Sequence, residues 1–125
     1  MNIGLTGNEI LQNAREEMKK SNISGRIYSH PIGDSGHAAG TLIGMYDLQK
    51  GVEVLGDLPL LPDMFYSIEL FAQHEVRPNQ TLRFFLEEDV YWDEKSESWE
   101  WVYGRQEKFH LIRPIVASLG LKVQA

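Results

Sequence analysis

Apolar residues recur every fourth position at Ile10, Ala14 and Met18 with Leu11 beside them, while Arg15, Glu16, Glu17, Lys19 and Lys20 occupy the remaining positions. This is the periodicity of a helix with one face turned to a core. Just upstream, Thr6-Gly7-Asn8-Glu9 has the spacing of a capping box, in which a Thr hydroxyl and a Glu carboxylate satisfy orphan amides at a helix start. A helix is therefore expected to begin there and to end near Asn22 to Gly25. The pattern then changes. Arg26-Ile27-Tyr28-Ser29-His30 is β-prone, and a segment from Pro31 to Gly44 holding Gly33, Gly36 and Gly40 predicts a structured loop. A connector from Gly51 to Asp63, with Pro59 and Pro62, leads to the strand-forming run Met64 to Phe71. A turn at Arg77-Pro78-Asn79-Gln80 precedes a second strand, Thr81 to Trp92, and the two are expected to pair antiparallel. Polar residues Asp93 to Ser98 separate it from Trp99-Glu100-Trp101-Val102-Tyr103, a further hairpin arm. The tail from Arg113 to Ala125 is ambiguous. The order of helix, strand, loop and strands predicts an α+β fold over residues 1–125 as one domain, with a helix followed by antiparallel strands.

Composition narrows the chemistry. With 42% apolar residues the chain can build one modest core. It contains 0 cysteines, so a disulfide framework and a thiolate zinc site are both excluded, and a metal would have to be held by His, Asp, Glu or carbonyl oxygen. A net charge of −6 has the wrong sign for neutralising phosphates, which argues against nucleic-acid partners. Residues Met1 to Asn8 lack the basic start and long apolar stretch of a signal peptide, and no run of about 18 apolar residues occurs, which argues against a membrane partner. A soluble, cytoplasmic protein is the expectation.

Two carboxylates stand in unusual places. Glu69 lies inside an otherwise apolar strand, on the same side of the pleat as Phe65, Ser67 and Phe71. Glu87 shares its side with Phe85 and Asp89 one strand later. A buried ionised carboxylate without a partner costs several kcal/mol, and a divalent cation would resolve both cases if the paired strands point them into one cleft. The ordinary alternative is that each Glu meets an arginine, such as Arg83 or Arg105, or faces water.

His30 and His37 straddle Pro31-Ile32-Gly33-Asp34-Ser35-Gly36, and the glycines allow a fold-back that would bring both imidazoles to one pocket. Taken alone, such a pair is more often exposed or locally hydrogen-bonded than functional, and it is not the HExxH arrangement of helical zinc proteases. His74 and His110 carry less signal still. Trp92, Trp99 and Trp101 with Tyr91 and Tyr103 suit cross-strand packing better than a ligand platform. The glycines form no phosphate loop, and neither Ser29 nor Ser35 sits in a GxSxG elbow.

In order along the chain, Ser29-His30-Pro31-Ile32-Gly33 with His37, then Tyr66-Ser67-Ile68-Glu69, then Leu86-Glu87-Glu88-Asp89 resemble the C-terminal motif series of the pita-bread metallopeptidases. That family comprises Xaa-Pro aminopeptidases, prolidases, methionine aminopeptidases and the metal-free creatinases. The resemblance runs from Thr6-Gly7-Asn8-Glu9 to Gly104-Arg105-Gln106. It implies the C-terminal portion of the pita-bread fold and a site for two divalent metal ions, drawn from Mn, Co, Zn or Fe. By this resemblance His30 is a metal ligand, Glu69 a ligand that also shuttles protons, and Glu87 the carboxylate that bridges the ions. His37 matches the histidine that helps hold substrate and the developing oxyanion, which makes His37 and Glu69 the implied catalytic residues. The implied substrate is a peptide.

There are departures. The family supplies two aspartates and another histidine from its first half, which would precede Met1, and Asp34, Asp47, Asp57 and Asp63 do not lie in the strand pattern that carries them. His30, Glu69 and Glu87 suit one weakly bound ion and do not make the binuclear site. Leu70 also replaces the proline frequent after the first metal-binding Glu, which places the chain in a divergent branch. The expected function is therefore the C-terminal fragment of a two-metal exopeptidase of the Xaa-Pro aminopeptidase or prolidase type, inactive alone. The alternative is a non-catalytic module binding a peptide or partner on the same half-fold, and a metal-independent, creatinase-like hydrolase is the weakest reading. A half-domain is also expected to expose the surface meant for its missing N-terminal half, or to form a homo-oligomer.

Overall fold

The computed structural model describes residues 1–112. Its elements follow in the order α1 (Gly7–Lys20), β1 (Ser24–Pro31), β2 (Phe65–Arg77), β3 (Gln80–Asp93) and β4 (Ser98–Trp101). The fold is α+β, with one helix and an open, four-stranded sheet in sequential order, every neighbouring pair antiparallel.

The expected capping box is present at the start of α1. Thr6 Oγ1 accepts from the Glu9 amide, and the Glu9 carboxylate accepts from the Thr6 amide at 2.8 Å. The helix stops at Lys20, a little before the expected limit. Asn22 takes a left-handed conformation with φ 54, and the amides of Asn22 and Ile23 donate to the carbonyls of Lys19 and Met18. That is a Schellman ending with asparagine in the place more often held by glycine. At the other end, Gly7 packs so closely that a Cβ there would run into the Leu42 carbonyl.

The strands around the second turn are longer than the apolar run predicts. β2 continues past Phe71 through polar residues to Arg77, and β3 begins at Gln80. Hydrogen bonding across a ladder does not require apolar side chains, so the hairpin projects beyond the part of the sheet that packs on a core. Asn79, with φ 63, supplies the tight turn. The tail from Arg113 onward lies outside the described residues.

The core lies on one face of the sheet. Ile10 and Leu11 from α1 meet Tyr66 and Val90 from the sheet and Ile43 and Leu60 from the loops. Tyr66 makes an edge contact with Trp99, and Trp92 makes another with Trp99, so these aromatics serve cross-strand packing. Two amides tie the long connector down. Asn8 Nδ2 donates to the Val52 carbonyl while its Oδ1 accepts from the Val52 amide, and Gln49 makes the same two-way contact with Ile27. With the back of the sheet covered in this way, the side chains of alternate strand residues are left on the open front.

Candidate functional site

The register of the sheet assembles the front face. His30 lies opposite Ser67, Tyr28 opposite Glu69, Ser67 opposite Asp89, and Glu69 opposite Glu87. Directly paired residues in an antiparallel ladder point to the same side. Tyr28, His30, Ser67, Glu69, Glu87 and Asp89 therefore share one face, while Tyr66 and Val90, one residue out of phase, point into the core.

His30 is buried at 4% exposure and makes a contact with each ring nitrogen. Nδ1 lies 3.0 Å from the Pro31 carbonyl, and Nε2 lies 2.9 Å from Glu69 Oε1. A neutral imidazole has one N–H, whereas both partners here are acceptors. One contact therefore needs a further proton, on the ring or on the carboxyl group, or a cation shared by the ring and its partner. A histidine that donates Nδ1–H to a backbone carbonyl and presents Nε2 to a carboxylate has the outer hydrogen bond usual for a metal ligand. The donors fit a divalent ion chemically, as an imidazole nitrogen beside carboxylate oxygens.

The glycine loop brings in the second histidine. The Gly36 amide donates to the Gly33 carbonyl and the Ala38 amide to the Pro31 carbonyl, which folds the segment back on itself. Gly33 permits this closure, because a Cβ there would sit 2.9 Å from the His37 carbonyl oxygen. As a result the exposed His37 ring stacks on His30, with centroids 4.1 Å apart and planes 15° from parallel. The sequence allowed this meeting, and the backbone produces it.

Glu69 is one-third exposed and has His30 as its partner. Among the described residues neither Glu69 nor Glu87 forms an ion pair with Arg83 or Arg105. Arg83 instead lies over the Phe71 ring, 5.9 Å from its centroid. Glu87, expected to be buried, is exposed; its closest polar contact is a long one, 3.5 Å from the Ser67 hydroxyl. The hairpin reaches past the core at that level, so Glu87 is held by its register opposite Glu69 and not by enclosure. Among the described residues, no three His, Asp or Glu side chains converge at the spacing of a closed metal cage.

Tyr28 is a neighbour that the motif reading passes over. Its ring lies 5.0 Å from the His30 ring, and burial together with the negative charge of Glu69 raises its phenol above the ordinary tyrosine value. It stands two residues before His30 in a strand, and that spacing alone places it on the same face. Beside it a shallow cleft of about 250 Å³ runs between Tyr28, Tyr46, Glu69, Phe71, Phe85 and Glu87.

No family model, curated protein or solved structure matches the chain. No helix among the described residues is long and apolar enough to cross a membrane.

Proposed function

We propose that this chain carries the C-terminal part of the site of a two-metal exopeptidase of the Xaa-Pro aminopeptidase or prolidase type, on the corresponding part of a pita-bread fold. The observation that supports the reading best is the pairing of His30 Nε2 with Glu69 Oε1 at 2.9 Å, with Glu87 directly opposite Glu69. In this reading His30, Glu69 and Glu87 hold metal. Bound divalent ions would supply Lewis acidity toward water and a peptide carbonyl. The chain's own residues do the rest. The Pro31 carbonyl orients the His30 ring, Glu69 moves a proton toward the leaving amine, and His37 donates a hydrogen bond to the oxyanion that develops on the carbonyl. In this reading cleavage also requires the two aspartates implied by the family, which His30, Glu69 and Glu87 do not replace.

The test is Mn²⁺ binding by calorimetry together with X-Pro dipeptide and X-Pro peptide cleavage. The chain is compared with a version extended upstream to include the two aspartates. Weak binding by the short chain, lost in His30→Ala, and activity in the extended one are expected. Cleavage by the short chain alone would contradict the fragment reading.

A second reading, a non-catalytic module for a peptide or partner, has its own support in the exposed Glu87 and the aromatic cleft beside Tyr28. Peptide binding unaffected by chelator, with no cleavage by the extended chain when metal is bound, would favour it.

A further inference from the structure

The backbone of β3 is paired on one side along its whole length with β2, but β4 covers only Val90 to Asp93 on the other. Which residues turn their backbone groups to the free side follows from two hydrogen bonds. Asp89 accepts from the Val102 amide on the β4 side, and the Trp92 amide donates to Met64 on the β2 side. The register of β3 is regular, the one irregularity lying between Glu75 and Arg77 on β2. Thr81, Arg83, Phe85 and Glu87 therefore all present amide and carbonyl to an edge that has no partner strand among the described residues, the segment Tyr103 to His110 passing beside its Glu87–Asp89 end across an open cleft. The side chains along this edge are largely apolar and open, with Leu82 45%, Phe84 46%, Phe85 67% and Leu86 55% exposed. A long, exposed, apolar edge is a template for another strand.

We propose that the occupant is the same edge of a second copy, paired antiparallel about a two-fold axis at Phe85. Two-fold pairing about a residue keeps the two front faces on one side, and each possible centre sets a different register. Centring on Phe85 places Arg83 opposite Glu87 of the other copy, twice, and Phe84 opposite Leu86, while Phe85 meets its own counterpart. From Arg83 to Glu87 opposite charges and apolar groups then face each other, an arrangement that favours cross-strand pairing. A centre at Phe84 leaves Arg83 facing Phe85. A centre at Leu86 sets Phe85 against Glu87 and draws on Asp89, whose carbonyl is already taken by Val102. Of the three, the Phe85 register alone sets Arg83 against Glu87 and so neutralises Glu87, which on its other side faces Glu69. Each copy thereby contributes an arginine beside the other's front face, and the sheet runs continuously through the two molecules. This interface does not depend on the peptidase reading.

The chain has 0 cysteines, which permits a direct test with the full-length protein. In Phe85→Cys the two sulfurs meet across the axis and oxidise to a covalent dimer, whereas the control Leu82→Cys, facing Glu88, does not. Sedimentation equilibrium is expected to give a dimer for the wild type. Arg83→Glu and Glu87→Arg each weaken it on the order of tenfold or more, and the double swap restores it. Circular dichroism checks that each variant folds, and the cysteine pair carries the test if a charge variant does not. A monomeric wild type, equal cross-linking at both cysteines, or failure of the double swap overturns the proposal. So does a chain ending at Ile112 that dimerises when the full chain does not, because that would assign the edge to residues 113–125.

Discussion

Glu69 and Glu87 stand directly opposite one another in the β2–β3 ladder, two carboxylates where a sheet more often places opposite charges or apolar groups. Like charges in that relation destabilise a sheet by about 0.2–1 kcal/mol, and only Glu69 has a compensating partner, in His30. Such a pair is unfavourable unless something positive joins it.

Substituting Glu87→Gln separates the two consequences. Under chelating conditions, at protein concentrations low enough to keep the chain monomeric, the variant is expected to be more stable than wild type, by about 0.2–1 kcal/mol, because one of the facing charges is gone. With Mn²⁺ added, the wild type gains stability by mass action and the variant does not. Thermal melts of both proteins with and without metal measure the effect. An identical rise in both would remove Glu87 from the ligand set.

Gly7→Ala should destabilise the protein even though alanine is the better helix former. Propensity favours the change by at most about 1 kcal/mol. The new methyl group would meet the Leu42 carbonyl, a backbone atom that cannot swing aside, and forced backbone shifts of this kind cost about 1–3 kcal/mol. Urea unfolding is expected to show a net loss. A gain would mean that the loop carrying Leu42 yields more easily than its contacts indicate.

Tyr66 gives the fold an alkaline limit. It is fully buried, and burial raises its phenol above the ordinary tyrosine value. The unfolded chain ionises first as pH rises, so the contribution of Tyr66 is intact below the ordinary phenol value and is lost between that value and the raised one. Tyr66→Phe is expected to flatten this part of the stability profile. At neutral pH it costs about 1 kcal/mol, since the Thr41 carbonyl loses the donor that lies 3.2 Å from it. Tyr28, also raised, leaves a smaller alkaline loss in the variant. Denaturant midpoints from neutral to strongly alkaline pH provide the measurement, and parallel profiles for the two proteins would contradict the assignment.

Much of this was legible in the residue pattern because it depends on neighbours in the chain. The capping box at Thr6 and Glu9, the helical stripe through Ile10 and Leu11, and the phase of Ser67 and Glu69 within a strand are all local matters of hydrogen-bonding reach and side-chain period. The length of the β2–β3 hairpin was less visible, since its outer half pairs through backbone atoms that every sequence possesses. The exposure of Glu87 was invisible for a related reason. A carboxylate among apolar residues reads as buried, whereas those apolar residues are themselves exposed here.

The sequence by itself therefore determined an α+β chain with a capped amphipathic helix, antiparallel strands, no thiol chemistry and a short roster of histidines and carboxylates. Only the tertiary structure decided which of those groups meet. His30 reaches Glu69 because β1 and β2 pair in one register out of several, and a slip of one residue that flipped β2 would have turned Glu69 to the core side and Tyr66 out of the core. His37 reaches His30 because Gly33 lets the loop close upon itself. Both outcomes are set by contacts between segments distant in the chain or by backbone closure, and spacing along the sequence constrains neither.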